Sequence, residues 1–161
     1  MADSKAHLQD WKKDETLLIY GIGNPGRQDD GLGIRLIEKL EKLGLPQTVH
    51  LDSNYQLNVE DALTLSHFDW VVFLDASVDV HTPKPYLLSR LEPAQEWCFS
   101  THAMRPQSVL SLCHDLYGKK PHAFLLAIPG YQWELSEEMS DCARENLEHT
   151  FQFLSSVLSV S

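Results

Sequence analysis

Residues 16–33 read Thr-Leu-Leu-Ile-Tyr-Gly-Ile-Gly-Asn-Pro-Gly-Arg-Gln-Asp-Asp-Gly-Leu-Gly, an apolar run that passes into glycines, then two acids, then glycines again. The apolar run Leu17 to Tyr20 predicts a strand buried on both faces. The glycines that follow allow tight turns and close approach to another group. Asp29 and Asp30 stand where the next helix should begin, so this stretch predicts both the start of the fold and its first candidate site.

Composition predicts one domain without disulfides. The chain has 161 residues, enough for a sizeable core, and a net charge of −10, which opposes binding to nucleic acid or an anionic membrane. Its three cysteines are widely spaced and form no C-x-x-C pair, which is typical of reduced cytoplasmic thiols (Cys98, Cys113 and Cys142). Residues 1–15 predict a polar lead without signal-peptide features, and residues 16–161 a single α/β domain. Apolar runs are too short for a transmembrane helix.

Strands and helices alternate along the rest of the chain. Apolar spacing predicts helices over 32–43, 59–65, 106–117 and from about 136, and strands over 48–52, 70–75, 86–88 and 123–128. We expect Asp75 to end its strand and the 86–88 strand to lie at the sheet edge. This alternation predicts a three-layer α/β/α sandwich around a mainly parallel twisted sheet.

Three residues on the predicted helices are expected to point into the core. Helical spacing places Cys113 and Leu116 inward on the helix that begins at Pro106, and Cys142 inward on the last helix. Packing therefore explains both cysteines better than nucleophilic catalysis does, and no G-x-S-x-G elbow is present.

Ligands of parallel sheets bind beyond the carboxyl ends of the strands. That rule brings together the loop from Asn24 to Asp30, Asp75, and the segment that holds His102. Two carboxylates and an imidazole suit a divalent ion of borderline hardness, such as zinc, nickel, manganese or iron. Three protein ligands would leave the ion open to a substrate.

Each of these residues also has a simpler explanation. Asp29 or Asp30 could cap a helix, Asp75 could accept loop hydrogen bonds, and His102 could be structural. Residues 21–26 also match G-x-G-x-x-G, but two acids at the helix start oppose a pyrophosphate, and Pro25 removes a donor. The joint position of the three side chains at one edge favours a metal or acid–base site.

The motifs resemble those of the maturation endopeptidases of nickel-containing hydrogenases. The similarity lies in Gly21 to Gly33 and continues through Gln56-Leu57, Phe73 to Ala76, Ser100 to His102 and Ala127 to Gly130. The resemblance implies a three-layer α/β/α fold and an aspartyl-type peptidase that removes the C-terminal extension of a hydrogenase large-subunit precursor after nickel insertion.

Matched by motif, the catalytic and nickel-sensing residues are Asp30, Asp75 and His102. Asp29, as the neighbouring acid, leaves a one-residue ambiguity. Asn24, with the loop amides, and Asp29 are assigned to substrate positioning. The resemblance implies nickel carried by the substrate, with no tightly bound resident cofactor.

Two rival functions stay open. Residues 21–26 are also similar to the opening motif of peptidyl-tRNA hydrolase, but the acids at 29–30 replace the histidine segment of that family. A nickel-sensing or metal-delivery protein without protease activity would need the same open face.

Overall fold

A computed structural model describes residues 5–81, 83–94 and 104–159 of the chain. Within these ranges, five strands form one sheet: β1 Leu17–Ile22, β2 Val49–Asn54, β3 Trp70–Ser77, β4 Leu87–Leu91 and β5 His122–Pro129. The α-helices of the same ranges are α1 Leu32–Leu40, α2 Asp61–Leu65, α3 Pro106–Tyr117 and α4 Asp141–Ser159. Short 3-10 helices cover Leu8–Asp10 and Gln28–Gly31.

The sheet is mainly parallel, as predicted. Its strand order is β2-β1-β3-β5-β4, and β4 at the edge is the antiparallel member. The edge strand lies at Leu87–Leu91, slightly later than the sequence pattern indicates. Because β2, β1, β3 and β5 run in the same direction, their carboxyl ends share one edge of the sheet. We call this the carboxyl edge.

Helices cover both faces of the sheet, which confirms the three-layer α/β/α sandwich. Alternate residues of β1 point to opposite sides: Leu17 and Ile19 pack with α1 and α4, whereas Leu18 and Tyr20 pack with α2 and α3. All six residues of β1 are buried. This double burial explains why the strand reads as a continuous apolar run instead of an alternating one.

Helix α1 lies directly against the first and third strands. A Cβ added to Gly33 would lie 2.7 Å from the Ile22 carbonyl oxygen, and one added to Gly21 would lie 2.6 Å from the Gly33 carbonyl oxygen. Such close backbone contact leaves no room for side chains at either glycine. It fixes the start of α1, and the acids just before it, next to β1 and β3.

The N-terminal residues belong to the domain, so the predicted boundary after residue 15 is wrong. Leu8 and Trp11 are 1% and 3% exposed and join the core on the α1–α4 face. Trp11 Nε1 donates to the Glu15 carbonyl at 3.0 Å, and Arg90 Nη1 donates to the Ala6 carbonyl at 2.8 Å. Polar neighbours hid these two apolar side chains from a composition-based boundary.

Two predicted helix faces need correction. Leu116 is 59% exposed and Leu112 is buried in its place, although Cys113 is buried as predicted. Helix α4 begins at Asp141 instead of near Ser136, and Cys142 is exposed beside the buried Ala143. Within the described residues, no helix, α4 included, has both the length and the apolar character needed to cross a bilayer.

Candidate functional site

The chain reverses direction immediately after β1. Gly23 has a φ of +136°, and a Cβ there would collide with the Asp30 carbonyl oxygen, so only glycine fits this position. The Asn24 side-chain oxygen then accepts from the Gly26 N–H at 2.9 Å, and the Asn24 carbonyl accepts from the Arg27 N–H at 3.0 Å. This turn leads into the 3-10 helix Gln28–Gly31, which holds both acids at the carboxyl edge.

The backbone donors of this loop are all used within the protein. From Gly23 to Asp30, each N–H has an acceptor, and Pro25 has no N–H to offer. No amide of the loop is therefore left to bind a pyrophosphate, which argues against the dinucleotide interpretation. The same hydrogen bonds leave no free N–H between Gly23 and Asp30 to orient a substrate or an oxyanion. Asn24 contributes its side-chain oxygen to the turn, and a substrate contact by this residue stays a prediction.

Asp29 is completely buried. Its Oδ2 accepts from the N–H groups of Tyr131 at 2.7 Å and Gln132 at 2.9 Å, and from the Ser140 hydroxyl at 2.7 Å. Its Oδ1 accepts from the Ser140 N–H at 2.8 Å. Burial raises the pKa of Asp29, but these hydrogen bonds outweigh it and hold the pKa below its usual value. Asp29 is an ionised internal anchor, and its buried carboxylate cannot contact a substrate directly.

Asp30 is the acid that faces the carboxyl edge. It is half-buried, and its Oδ2 accepts from the Asn24 N–H at 2.8 Å. This bond joins the two ends of the glycine loop, so the loop geometry fixes the carboxylate direction. Orientation therefore distinguishes the two adjacent acids. The Asp29 side chain points into the protein, and the Asp30 side chain points toward the strand ends.

Asp75 lies within β3, two residues before its end, so the prediction that it ends the strand is wrong. The ladder with β5 continues past it, through Ala76 opposite Ile128 and Ser77 opposite Pro129. Burial, together with the negative charge of Asp30, raises the pKa of Asp75 to about 7. A hydrogen bond from the Ala76 N–H lowers this pKa, but by less. The structure thus brings Asp30 and Asp75 into electrostatic contact at the carboxyl edge.

His102 lies outside the described residues, as do Ser100 and Cys98. The described residues resume at position 104, and helix α3 begins at Pro106. Among the described residues, no group of three or more histidine, cysteine or acidic side chains could hold a metal ion. The three-residue set of Asp30, Asp75 and His102 stays a prediction.

Sequence patterns missed the residues that hold Asp29 and the glycine loop. These belong to the irregular segment between β5 and α4, where Gln132 and Ser136 accept from loop N–H groups. Gln28 also has a positive φ of 50°, which its sequence does not signal. Ser140 carried the one usable signal, because a serine directly before a helix is a common N-cap, and its hydroxyl accepts from the Ala143 N–H at 3.3 Å.

Comparisons with known proteins agree on the architecture. No protein-family model matches the chain, and no curated protein sequence matches it. Among solved structures, the [NiFe] hydrogenase maturation protease HycI from Thermococcus kodakarensis KOD1 matches with a TM-score of 0.74 and 22% identity, over 91% of this chain and 94% of that one.

Two further structures match over similar lengths. The hydrogenase maturating endopeptidase HybD from E. coli gives a TM-score of 0.71 and 19% identity, over 89% of this chain and 91% of that one. The hydrogenase 2 maturation peptidase from a Thaumarchaeota archaeon gives 0.67 and 21%, over 91% of this chain and 100% of that one. The chain therefore has the α/β/α fold of the [NiFe] hydrogenase maturation proteases.

Proposed function

We propose that this protein is a hydrogenase maturation endopeptidase of the family its motifs resemble. It would remove the C-terminal extension of a nickel-containing hydrogenase large-subunit precursor once nickel is in place. The nickel belongs to the substrate, and Asp30, Asp75 and His102 would complete its coordination. The observation that carries this proposal is the pair of coupled carboxylates at the carboxyl edge of a fold shared with these proteases.

The acid pair suits recognition of a cation. Two carboxylates held close together repel each other, and here that repulsion contributes to the raised pKa of Asp75. A divalent ion removes the repulsion, because it favours the ionised form of both groups. A precursor without nickel gains nothing from this site, so the pair would distinguish loaded from empty substrate.

The same residues could assist peptide hydrolysis. A carboxyl group with a pKa near neutrality can accept and return a proton at the pH of the cell, as general acid–base catalysis requires. Asp75 meets that condition in the metal-free protein, and it would release this proton on meeting the nickel of the precursor, because the cation favours its ionised form. A nickel ion held by the precursor would act as a Lewis acid on the scissile carbonyl or on a water molecule. Asp30 keeps its direction through the Asn24 N–H, so the pair is arranged before the substrate arrives.

We also propose a cytoplasmic location, where a hydrogenase precursor is assembled before any export. Cys113 and Cys142 are free thiols, which agrees with a reducing compartment.

The proposal is tested by incubating the purified protein with a co-encoded large-subunit precursor, with and without nickel. We expect mass spectrometry to show loss of the C-terminal extension in the nickel-loaded sample alone. Asp30→Asn, Asp75→Asn and His102→Ala should each abolish processing while circular dichroism stays unchanged. Asp52→Asn is the matched control, because Asp52 is an exposed carboxylate on β2 near the same edge.

The outcomes separate the candidate functions. Binding of the nickel-loaded precursor without any change of mass would leave the sensor or delivery function. Full processing by the variants at positions 30 and 75 would show that the acid pair is not the site. Release of peptide from peptidyl-tRNA, with the precursor untouched, would favour the hydrolase rival.

A further inference from the structure

The segment between β5 and α4, residues 130–140, lies against the two elements that carry the acids of the candidate site. We call it the β5–α4 segment. It begins against the end of β3, where the Gly130 N–H donates to the Ser77 carbonyl at 2.8 Å. It then runs beside the glycine loop, where Ser136 donates to the Gly26 carbonyl at 3.0 Å and accepts from the Gln28 N–H at 2.7 Å. The segment therefore contacts the end of the strand that carries Asp75 and the turn that carries Asp30.

Side chains of the glycine loop hold this segment in place. Asp29 binds it at both ends, through Tyr131 and Gln132 near β5 and through Ser140 near α4. Gln28 binds its middle, because the Gln28 side chain donates to the Glu138 carbonyl at 3.0 Å and accepts from the Glu134 N–H at 3.0 Å. These hydrogen bonds fix the backbone of an irregular segment against its conformational entropy, so its exposed side chains are held in defined positions.

The anchored segment presents apolar and acidic side chains to solvent. Leu135 is 77% exposed and Tyr131 is 43% exposed, although both belong to a stretch with fixed backbone. The segment also contains three glutamates and no lysine or arginine. A protein surface with apolar side chains and nearby basic groups would complement this combination.

We propose that the β5–α4 segment is a docking surface for the precursor protein, with Leu135 as its apolar contact, and that Asp29 is the positioning residue that aligns it with Asp30. This inference rests on the proposed function, because it names the precursor as the occupant. Asp29 acts through the hydrogen bonds that tie the segment to the turn of the site. It touches neither the substrate nor the metal.

The test measures both binding and turnover of the nickel-loaded precursor. Leu135→Ser should raise Kd and KM about tenfold, as expected when one leucine no longer becomes buried, and leave kcat unchanged. Leu116→Ser is the matched control: this leucine is 59% exposed on α3, near the opposite edge of the sheet, and both constants should stay at the wild-type values.

Variants of the anchor test the positioning role. Asp29→Asn replaces an acceptor of several N–H groups with an amide, and it should raise KM more than it lowers kcat. Ser140→Ala removes the hydroxyl contact with Asp29 and serves if Asp29→Asn does not fold. If Asp29 has only a structural role, its variants should lose thermal stability and KM should not rise by a larger factor than kcat falls. That result would overturn the assignment of Asp29.

Other outcomes decide between the inference and the proposed function. Equal Kd and KM for the serine variants at 135 and 116 would overturn the docking surface and leave the protease intact. Binding without cleavage by the wild type would end the protease proposal, while the Kd ratio of the two variants would still test the surface. If the wild type neither binds nor cleaves the precursor, both proposals are wrong.

Discussion

Replacing Asp75 by asparagine should stabilise the folded protein, and the gain should grow with pH. Burial and the charge of Asp30 raise the pKa of Asp75 from 3.8 to about 7. The folded state therefore holds this proton over a range where the unfolded chain has already released it. Stability from this group is fully present below the unfolded pKa and is lost as the pH rises through the folded pKa. Asparagine has about the same shape and carries no charge, so it avoids this loss.

The size of the effect follows from the two pKa values. Each pKa unit corresponds to about 1.4 kcal/mol, so the ionised carboxylate costs the folded state about 4 kcal/mol at alkaline pH. At about pH 5 the unfolded chain has released most of this proton while the folded protein still holds it, and the advantage of asparagine is about 1.7 kcal/mol. The advantage of Asp75→Asn should therefore increase by about 2.5 kcal/mol between about pH 5 and about pH 8.

Urea unfolding of the chelator-treated protein at both pH values measures this difference. Asp52→Asn, at an exposed position on β2, is the control for removal of a carboxylate from the same sheet. Asp30→Asn should reduce the effect of Asp75→Asn, because it removes the neighbouring charge. If the stability difference between wild type and Asp75→Asn does not change with pH, the pKa of Asp75 is not raised by burial and by the charge of Asp30.

Three further predictions concern the scaffold. Gly33→Ala should lower the free energy of unfolding in urea by about 2 kcal/mol or more, because the added Cβ would meet backbone oxygens. Gly44→Ala is the control and should be neutral, because nothing lies within 4 Å of its added Cβ. Equal effects of the two substitutions would contradict the close packing of α1. Trp11→Ala should cost about 3–5 kcal/mol in thermal or urea unfolding, and a change near zero would restore the predicted boundary after residue 15. Peptide mapping after brief alkylation should find the exposed Cys142 modified and the buried Cys113 protected, since burial also raises the pKa of the Cys113 thiol; rapid labelling of Cys113 would contradict its place in the core.

The sequence predicts strands and helices best where burial leaves a simple pattern. β1 is buried on both faces, β3 and β5 are buried over most of their length, and all three read as short apolar runs; the apolar stripe of α1 is strongly periodic. Sequence patterns fail at the ends of elements and domains, where the burial of one or two residues is not evident from their neighbours. Leu8 and Trp11 reach the core from a polar stretch, Leu116 lies at the exposed end of α3 one turn past the buried Cys113, and Cys142 lies next to the buried Ala143.

For the site, the sequence by itself predicted which residues could act: a paired acid after the first strand, an acid in the third strand, and a histidine before the third helix. It did so because parallel strands place their carboxyl ends at one edge. It could not determine which of the adjacent acids, Asp29 or Asp30, faces that edge. Only the tertiary structure decided this, through hydrogen bonds from Tyr131, Gln132 and Ser140, more than a hundred residues away along the chain. Their partner is the buried Asp29, whereas Asp30 has one backbone hydrogen bond, from Asn24, and stays partly exposed, where its charge can meet water or a cation.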